Sequence, residues 1–301
     1  MENRAVTMVM ASFAADSLAL GAHWVYDTPA IETHFGRVDS LLEPQPNSYH
    51  ASKTLGDFTH YGDQMFVLLE SLAAKKGFSL VDFSTRWRAL FKNYSGYVDE
   101  ATQGTLAGYE SGKGPEDAGA LSDELAGAAR IAPLVYCYSD HLENLMEAVQ
   151  AQTKMTHSDP LTVESAAFFA EVTFRVLGGL PPIKALKEVT EESFSGSELS
   201  EWVNSGLETA ADDSVKIIAH FGQNCHTPEA FPGVIHLIAK YESDLKEALI
   251  QSVMAGGDSA ARGMMVGMVL GAHSGAGTLP EEWVSPLNKG QQITELLQQL
   301  R

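Results

Sequence analysis

Apolar residues along this chain recur at helical rather than strand spacing. Over 64–76, Met65, Leu68, Leu69 and Leu72 fall on one face at intervals of three and four. The stretch 80–91 repeats the pattern behind Ser79, whose hydroxyl suits a helix N-cap. Residues 5–21 are rich in Ala, Met, Val and Leu, contain no proline, and end near a glycine, a common helix stop. The same reading predicts helices over 142–152, 162–177, 182–190, 199–209, 234–241, 245–255, 260–272 and 291–300. Period-two alternation persists nowhere. Residues 135–138 are apolar but follow Pro133 and sit among helical neighbours. Loops are expected at 44–52, 111–118, 178–182, 193–197 and 226–232, where Pro, Gly and Ser gather. No low-complexity linker and no repeat of 20–50 residues marks a boundary. The pattern predicts an all-α fold of many short helices in one domain spanning 1–301.

With 45% of its 301 residues hydrophobic, the chain can bury a large core. No apolar run approaches the roughly 20 residues that span a bilayer. The start, Met1-Glu2-Asn3-Arg4, lacks the features of a secretory signal. Cys137 and Cys225 stand far apart, as suits a reducing compartment, and are expected to be buried rather than reactive. A cytoplasmic location follows as the expectation. Thirty-nine acidic residues against twenty basic ones give a formal charge of −19. Such a surface repels nucleic acid and anionic membranes, so neither is an expected partner. An anionic ligand would need local donors against the global field.

Four clusters of small, polar and acidic residues interrupt the helical pattern. They are 16–24 (Asp16 to Trp24), 56–65 (with His60 and Asp63), 155–160 (with His157 and Asp159) and 256–263 (with Asp258 and Ser259). Singly, each also reads as punctuation. Gly256-Gly257 suits a turn, Asp258 or Ser259 an N-cap, and Asp159 a cap for the helix beginning near Leu161.

Their order along the chain resembles the ADP-ribosylglycohydrolase family. That family has Gly-Asp-Ala-Leu-Gly-Ala near its start, then Thr-Asp-Asp-Thr-Gln-Met, Thr-His-x-x-Pro mid-chain, and a late Gly-Gly-Asp-Thr-Asp-Thr opening a glycine-rich helix. Here Ala129-Arg130-Ile131-Ala132-Pro133-Leu134, Gly267, Gly271-Ala272, Gly275 and Leu279-Pro280-Glu281-Glu282-Trp283 are similar to further family segments. His23-Trp24-x-Tyr26-Asp27 and Tyr61-Gly62-Asp63-Gln64 resemble the J1-crystallin and selenoprotein J branch. The resemblance covers residues 5–287 and implies a compact orthogonal bundle of helices. It also implies hydrolysis of an ADP-ribosyl bond, an ADP-ribose-like ligand or ADP-ribosylated substrate, and two magnesium ions.

The positions implied to hold those ions carry other residues. Aligned on Gln64-Met65, His60, Tyr61 and Gly62 stand in place of Thr-Asp-Asp, and Asp63 in place of the next Thr. The glutamate that the family carries shortly after its first segment aligns with His23. In the late motif Asp258 remains and Ser259 replaces a Thr, while Ala260 and Ala261 stand in place of the second Asp and Thr. The family's phosphate-cradling turn, Ser-x-Gly-Asn-Gly, becomes Ser122-Asp123-Glu124-Leu125-Ala126-Gly127. His157, Asp159 and Ser259 are left as the expected substrate-binding residues. His23, His60, Asp63 and Asp258 form a candidate altered site for a single divalent ion, and imidazole with carboxylate suits zinc, manganese or iron better than magnesium. Alternatively, Asp63 and Asp258 form a candidate metal-free acid/base pair for glycoside cleavage. Three readings stand: a hydrolase of an ADP-ribosyl or related glycosidic bond, a non-catalytic module binding a nucleotide ligand or a partner, and a crystallin-like structural protein.

Overall fold

The structure, a computed structural model, describes residues 2–300. Seventeen helices and no strand form among the described residues, as the periodicity requires. The centre is the crossing of α1 (Glu2–Ala19) and α15 (Ser259–Ser274). Both are apolar around most of their circumference, the pattern of a helix buried on all sides, and every residue from Ser259 to Ala272 is buried. Their backbones approach closely because Gly267 faces them: a Cβ there would lie 2.7 Å from the Ala11 carbonyl oxygen. Around this pair pack α3 (His60–Lys75), α7 (Ala132–Cys137), α9 (Pro160–Leu177), α13 (Thr227–Lys240) and α14 (Leu245–Met254).

The expected loop at 226–232 is instead the first turns of α13, with Pro232 inside the helix. Pro228 sits in the first turn, where a missing N–H costs nothing. Pro232 lies deeper and forgoes one helical bond. Packing outweighs that loss: Phe231 meets Phe168, Phe169 and Trp202 with ring centroids 5.3, 4.8 and 5.6 Å apart. Helices α2 (Thr28–Phe35), α5 (Glu100–Glu110) and α12 (Ser214–Phe221) also form beyond those expected. Each is short, and each is capped by an aspartate: Asp27, Asp99 and Asp213. Helix α3 starts at His60, four residues earlier than the apolar pattern indicates, because Thr59 caps it by accepting from the Tyr61 N–H. Among the described residues, no helix is long and apolar enough to cross a membrane.

These choices position one region. The turn after α1 carries His23 and Trp24, and the turn before α15 carries Asp258. Two backbone bonds tie the turns together, Trp24 N–H to Gly257 O and Gly257 N–H to Val25 O, each 2.9 Å. Gly257 is left-handed, with φ of 65°, and a Cβ there would lie 2.0 Å from the Gln223 carbonyl oxygen. Only glycine fits. The starts of α3 and α5 and the segment 120–125 complete the rim, the last held by isolated bridges from Ala120 to His157 and from Glu124 to His226.

Candidate functional site

Asp258 heads α15 and is fully buried, yet each polar partner it needs is present. Its Oδ1 lies 3.0 Å from His23 Nε2 and accepts from the Ala261 N–H; its Oδ2 accepts from the Tyr61 hydroxyl at 3.2 Å. Burial pushes the carboxyl up, but His23, the Ala261 amide and the Arg262 guanidinium outweigh it and keep Asp258 ionised. Burial holds His23 neutral. A neutral imidazole donating from Nε2 to the carboxylate must accept at Nδ1, so His50 donates from Nε2 across 2.7 Å. The resulting chain, Tyr61–Asp258–His23–His50, leaves His50 Nδ1 without a hydrogen-bond partner.

Buried neutral histidines have a consequence for acid stability. The His50 pKa is pushed down to about 2, first by burial and then by the neighbouring His23, His60 and Lys53. The folded value lies below the unfolded one, so this contribution is intact above the ordinary histidine pKa and is lost as pH falls below it. The loss approaches about 1.4 kcal/mol per pH unit. Urea unfolding of His50→Gln should therefore lose less stability between pH 6.5 and 4.5 than the native chain; equal slopes would remove His50 from the account.

The other residues singled out in the sequence are distributed around this chain. His60 packs on Tyr61, ring centroids 3.9 Å apart, and its Nε2 lies 3.1 Å from Asp99 Oδ2, outside hydrogen-bond alignment. Asp63 turns away and is held by the Lys53 ammonium and by the Tyr94 hydroxyl at 2.6 Å. Asp16 accepts from the Thr59 N–H at 2.7 Å and from its hydroxyl at 2.5 Å. Burial raises its pKa to about 7. Asp159 caps α9 through the Thr162 N–H, 3.0 Å away. Ser259 is fully buried, and its hydroxyl lacks a partner. His157 is buried, bonded through Nδ1 to Thr156 at 2.8 Å, with Nε2 unpartnered and 3.8 Å from Glu124 Oε2. Arg130 lies inside and anchors Gln64, Gln152 and Thr156. No three His, Cys, Asp or Glu side chains among the described residues are grouped to hold a metal ion.

A cavity of about 320 Å³ opens beside this network, lined by Trp24, Tyr26, Tyr49, Tyr97, Asp99 and Glu124 among others. Trp24, Tyr49 and Tyr97 meet edge to face, with centroids 4.8 to 5.4 Å apart. Two carboxylate oxygens near it, Asp99 Oδ2 and Glu124 Oε2, are buried without hydrogen-bond partners. Burial acts to raise Asp99, but His60, His157 and the Thr102 N–H outweigh it and hold the carboxyl well below the usual range. Trp24 has φ of 64°, left-handed backbone that is strained for a bulky side chain. It lines both this cavity and a second of about 550 Å³, whose other lining residues include His23, His34, Phe35, Gln45, Asn47 and Tyr49. Sequence reasoning passed over Asp99, His50 and Tyr97 and read Glu124 only as an altered loop. The one usable signal was Asp99 three residues before Thr102, an N-cap spacing.

A family model described as ADP-ribosylglycohydrolase matches residues 1–301. Crystallin J1A of Tripedalia cystophora is 26% identical over 322 aligned residues, spanning 99% of this chain and 96% of that protein. The ADP-ribosyl-[dinitrogen reductase] glycohydrolase of Rhodospirillum rubrum is 25% identical over 246 residues, spanning 77% of this chain and 74% of that protein. A solved structure titled ADP-ribosylglycohydrolase-related protein complex superposes with a TM-score of 0.81 at 22% identity, covering 99% of this chain and 97% of that one, a likeness of fold alone.

Proposed function

Since the chain belongs to the ADP-ribosylglycohydrolase family, we propose that it hydrolyses an ADP-ribosyl or related N- or O-glycosidic bond in the cavity of Asp99 and Glu124. One observation carries this reading: two acid–imidazole pairs, Asp99 with His60 and Glu124 with His157, bring buried, unpartnered oxygens to one aromatic-walled cavity. Such groups are costly to bury and suit proton exchange with a ligand.

The residues do not fit a magnesium pair. Magnesium needs several oxygen donors in near-octahedral array, whereas imidazole and phenol stand at the start of α3. Both Asp258 oxygens are engaged by His23 and Tyr61, and Asp63 is engaged by Lys53 and Tyr94. The same engagements argue against a single ion shared by His23, His60, Asp63 and Asp258, and against Asp63 and Asp258 as the acid/base pair. In this reading the ionised Asp99 takes a proton from water as its oxygen bonds to the anomeric carbon. The bond from that carbon to nitrogen or oxygen breaks, and the Glu124–His157 pair protonates the leaving group. His157 thus stands beside the substrate, while Asp159 and Ser259 support the walls. The two separate free cysteines agree with a cytoplasmic setting.

Incubation with arginine- and serine-linked ADP-ribosyl peptides and with simple N-ribosides, with and without EDTA, tests the reading. Turnover that survives EDTA is expected. Turnover abolished by EDTA and restored by magnesium would remove the metal-free mechanism. The crystallin relative, matched over nearly its whole length, supports a structural role as the second reading; absence of both turnover and calorimetric binding of ADP-ribose would select it.

A further inference from the structure

Resting on the hydrolase reading, we propose that this cleft takes an unphosphorylated N-glycoside with a positively charged nitrogen leaving group and discriminates against phosphorylated forms. Both cavities lack lysine and arginine in their linings. The smaller one is instead lined by Asp99, Glu100 and Glu124 together with Trp24, Tyr26, Tyr49 and Tyr97, carboxylates and aromatic rings of the kind that attract an organic cation. His226, the imidazole of that lining whose pKa is raised, already faces Asp123 at 2.8 Å.

Backbone donors that could serve a phosphate are consumed as well. Helix N-termini bind anions through open N–H groups, but α2, α5 and α15 are capped by the aspartates Asp27, Asp99 and Asp258. In the segment aligned with the family's phosphate-cradling turn, the Leu125 N–H donates to Cys225 O at 2.8 Å and the Gly127 N–H to Glu124 O at 3.3 Å. Of the basic groups nearby, Lys53 is held by Asp63 and Arg130 by Gln64 and Gln152, while the fully buried Arg262 donates only through Nη2, to the Ser252 and Gly256 carbonyls. None of the three lines either cavity. A phosphate entering the smaller cavity meets carboxylates with no lysine or arginine in the lining to offset them.

With a cationic N-riboside the balance is simple. The anomeric carbon–nitrogen bond breaks, its electron pair neutralises the leaving ring, water supplies hydroxyl to the anomeric carbon, and Asp99 takes the water's proton. Nicotinamide riboside, its 5′-mononucleotide and NAD⁺ form a ladder in which the pyridinium riboside is constant and the phosphate count rises from none. Nicotinamide release should fall along that ladder in kcat/KM, on the order of tenfold or more per step at low salt. The steps should shrink at high salt and in Glu100→Gln, a change at an exposed rim residue. Cleavage that is level or rises with phosphate count would overturn the inference. So would inactivity on all three alongside cleavage of ADP-ribosyl peptides, which leaves the hydrolase reading standing. Inactivity on ribosides and peptides alike removes the hydrolase reading, and this inference with it.

Discussion

Asp99→Asn is expected to lower kcat/KM by about two to four orders of magnitude, the usual contribution of a positioned acid or base, with the fold preserved. The substitution removes the negative charge beside His60 but keeps the Oδ1 acceptor that caps α5 through the Thr102 N–H at 2.6 Å. Asparagine caps a helix as well as aspartate, but the depressed carboxyl pKa means that the lost charge also stabilised the fold at neutral pH. A lowered unfolding midpoint should therefore accompany the loss of activity without unfolding the protein at the assay temperature. Because the Asp99 carboxyl is held well below the usual range, the native chain should keep Asp99 ionised down to acidic pH, and on the proposed hydrolase reading the variant's deficit should persist across neutral pH. Glu124→Gln should affect amine and alcohol leaving groups more than a pyridinium, which departs without a proton. Asp99→Asn retaining more than about a third of the native rate, a loss far short of what an essential base contributes, would remove Asp99 from the chemistry.

Asp258→Ala should cost about 3 kcal/mol or more, since buried donors deprived of their acceptor cost about 1–3 kcal/mol each. That is a large share of the roughly 5–15 kcal/mol by which domains are stable. Three donors lose their acceptor together: His23 Nε2–H, the Tyr61 hydroxyl and the Ala261 N–H. The sign with pH follows from the depressed folded pKa. Asp258 contributes fully above the ordinary carboxylate range, and the contribution disappears as pH falls through the lower folded value. Urea unfolding at pH 7 should show the whole difference, with the gap between native and variant closing in strong acid. A loss below about 1 kcal/mol, the level of one ordinary hydrogen bond, would mean that the network does not hold the two turns together.

Much of this molecule was legible along the chain. Helical spacing identified α3, α4 (Leu80–Phe91), α9 and α15 because an amphipathic or fully apolar helix writes its burial into its own period. Spaced motifs identified the family. The short aspartate-capped helices carried too little periodic signal, and the first turns of α13, ahead of the helix read over 234–241, were hidden by Pro228 and Pro232 until their aromatic contacts were in view. At the site, substitution of the motif residues could be read directly, but what replaced their function could not. Local sequence therefore determined the all-α class, the family and the exchange of carboxylates for imidazole and phenol. Only the tertiary structure decided that His23 bonds Asp258, that Lys53 holds Asp63, and that Asp99 and Glu124 flank one cavity. Those pairings join segments up to 235 positions apart, and a hydrogen bond or a desolvated charge depends on distance in space, which period and composition do not encode.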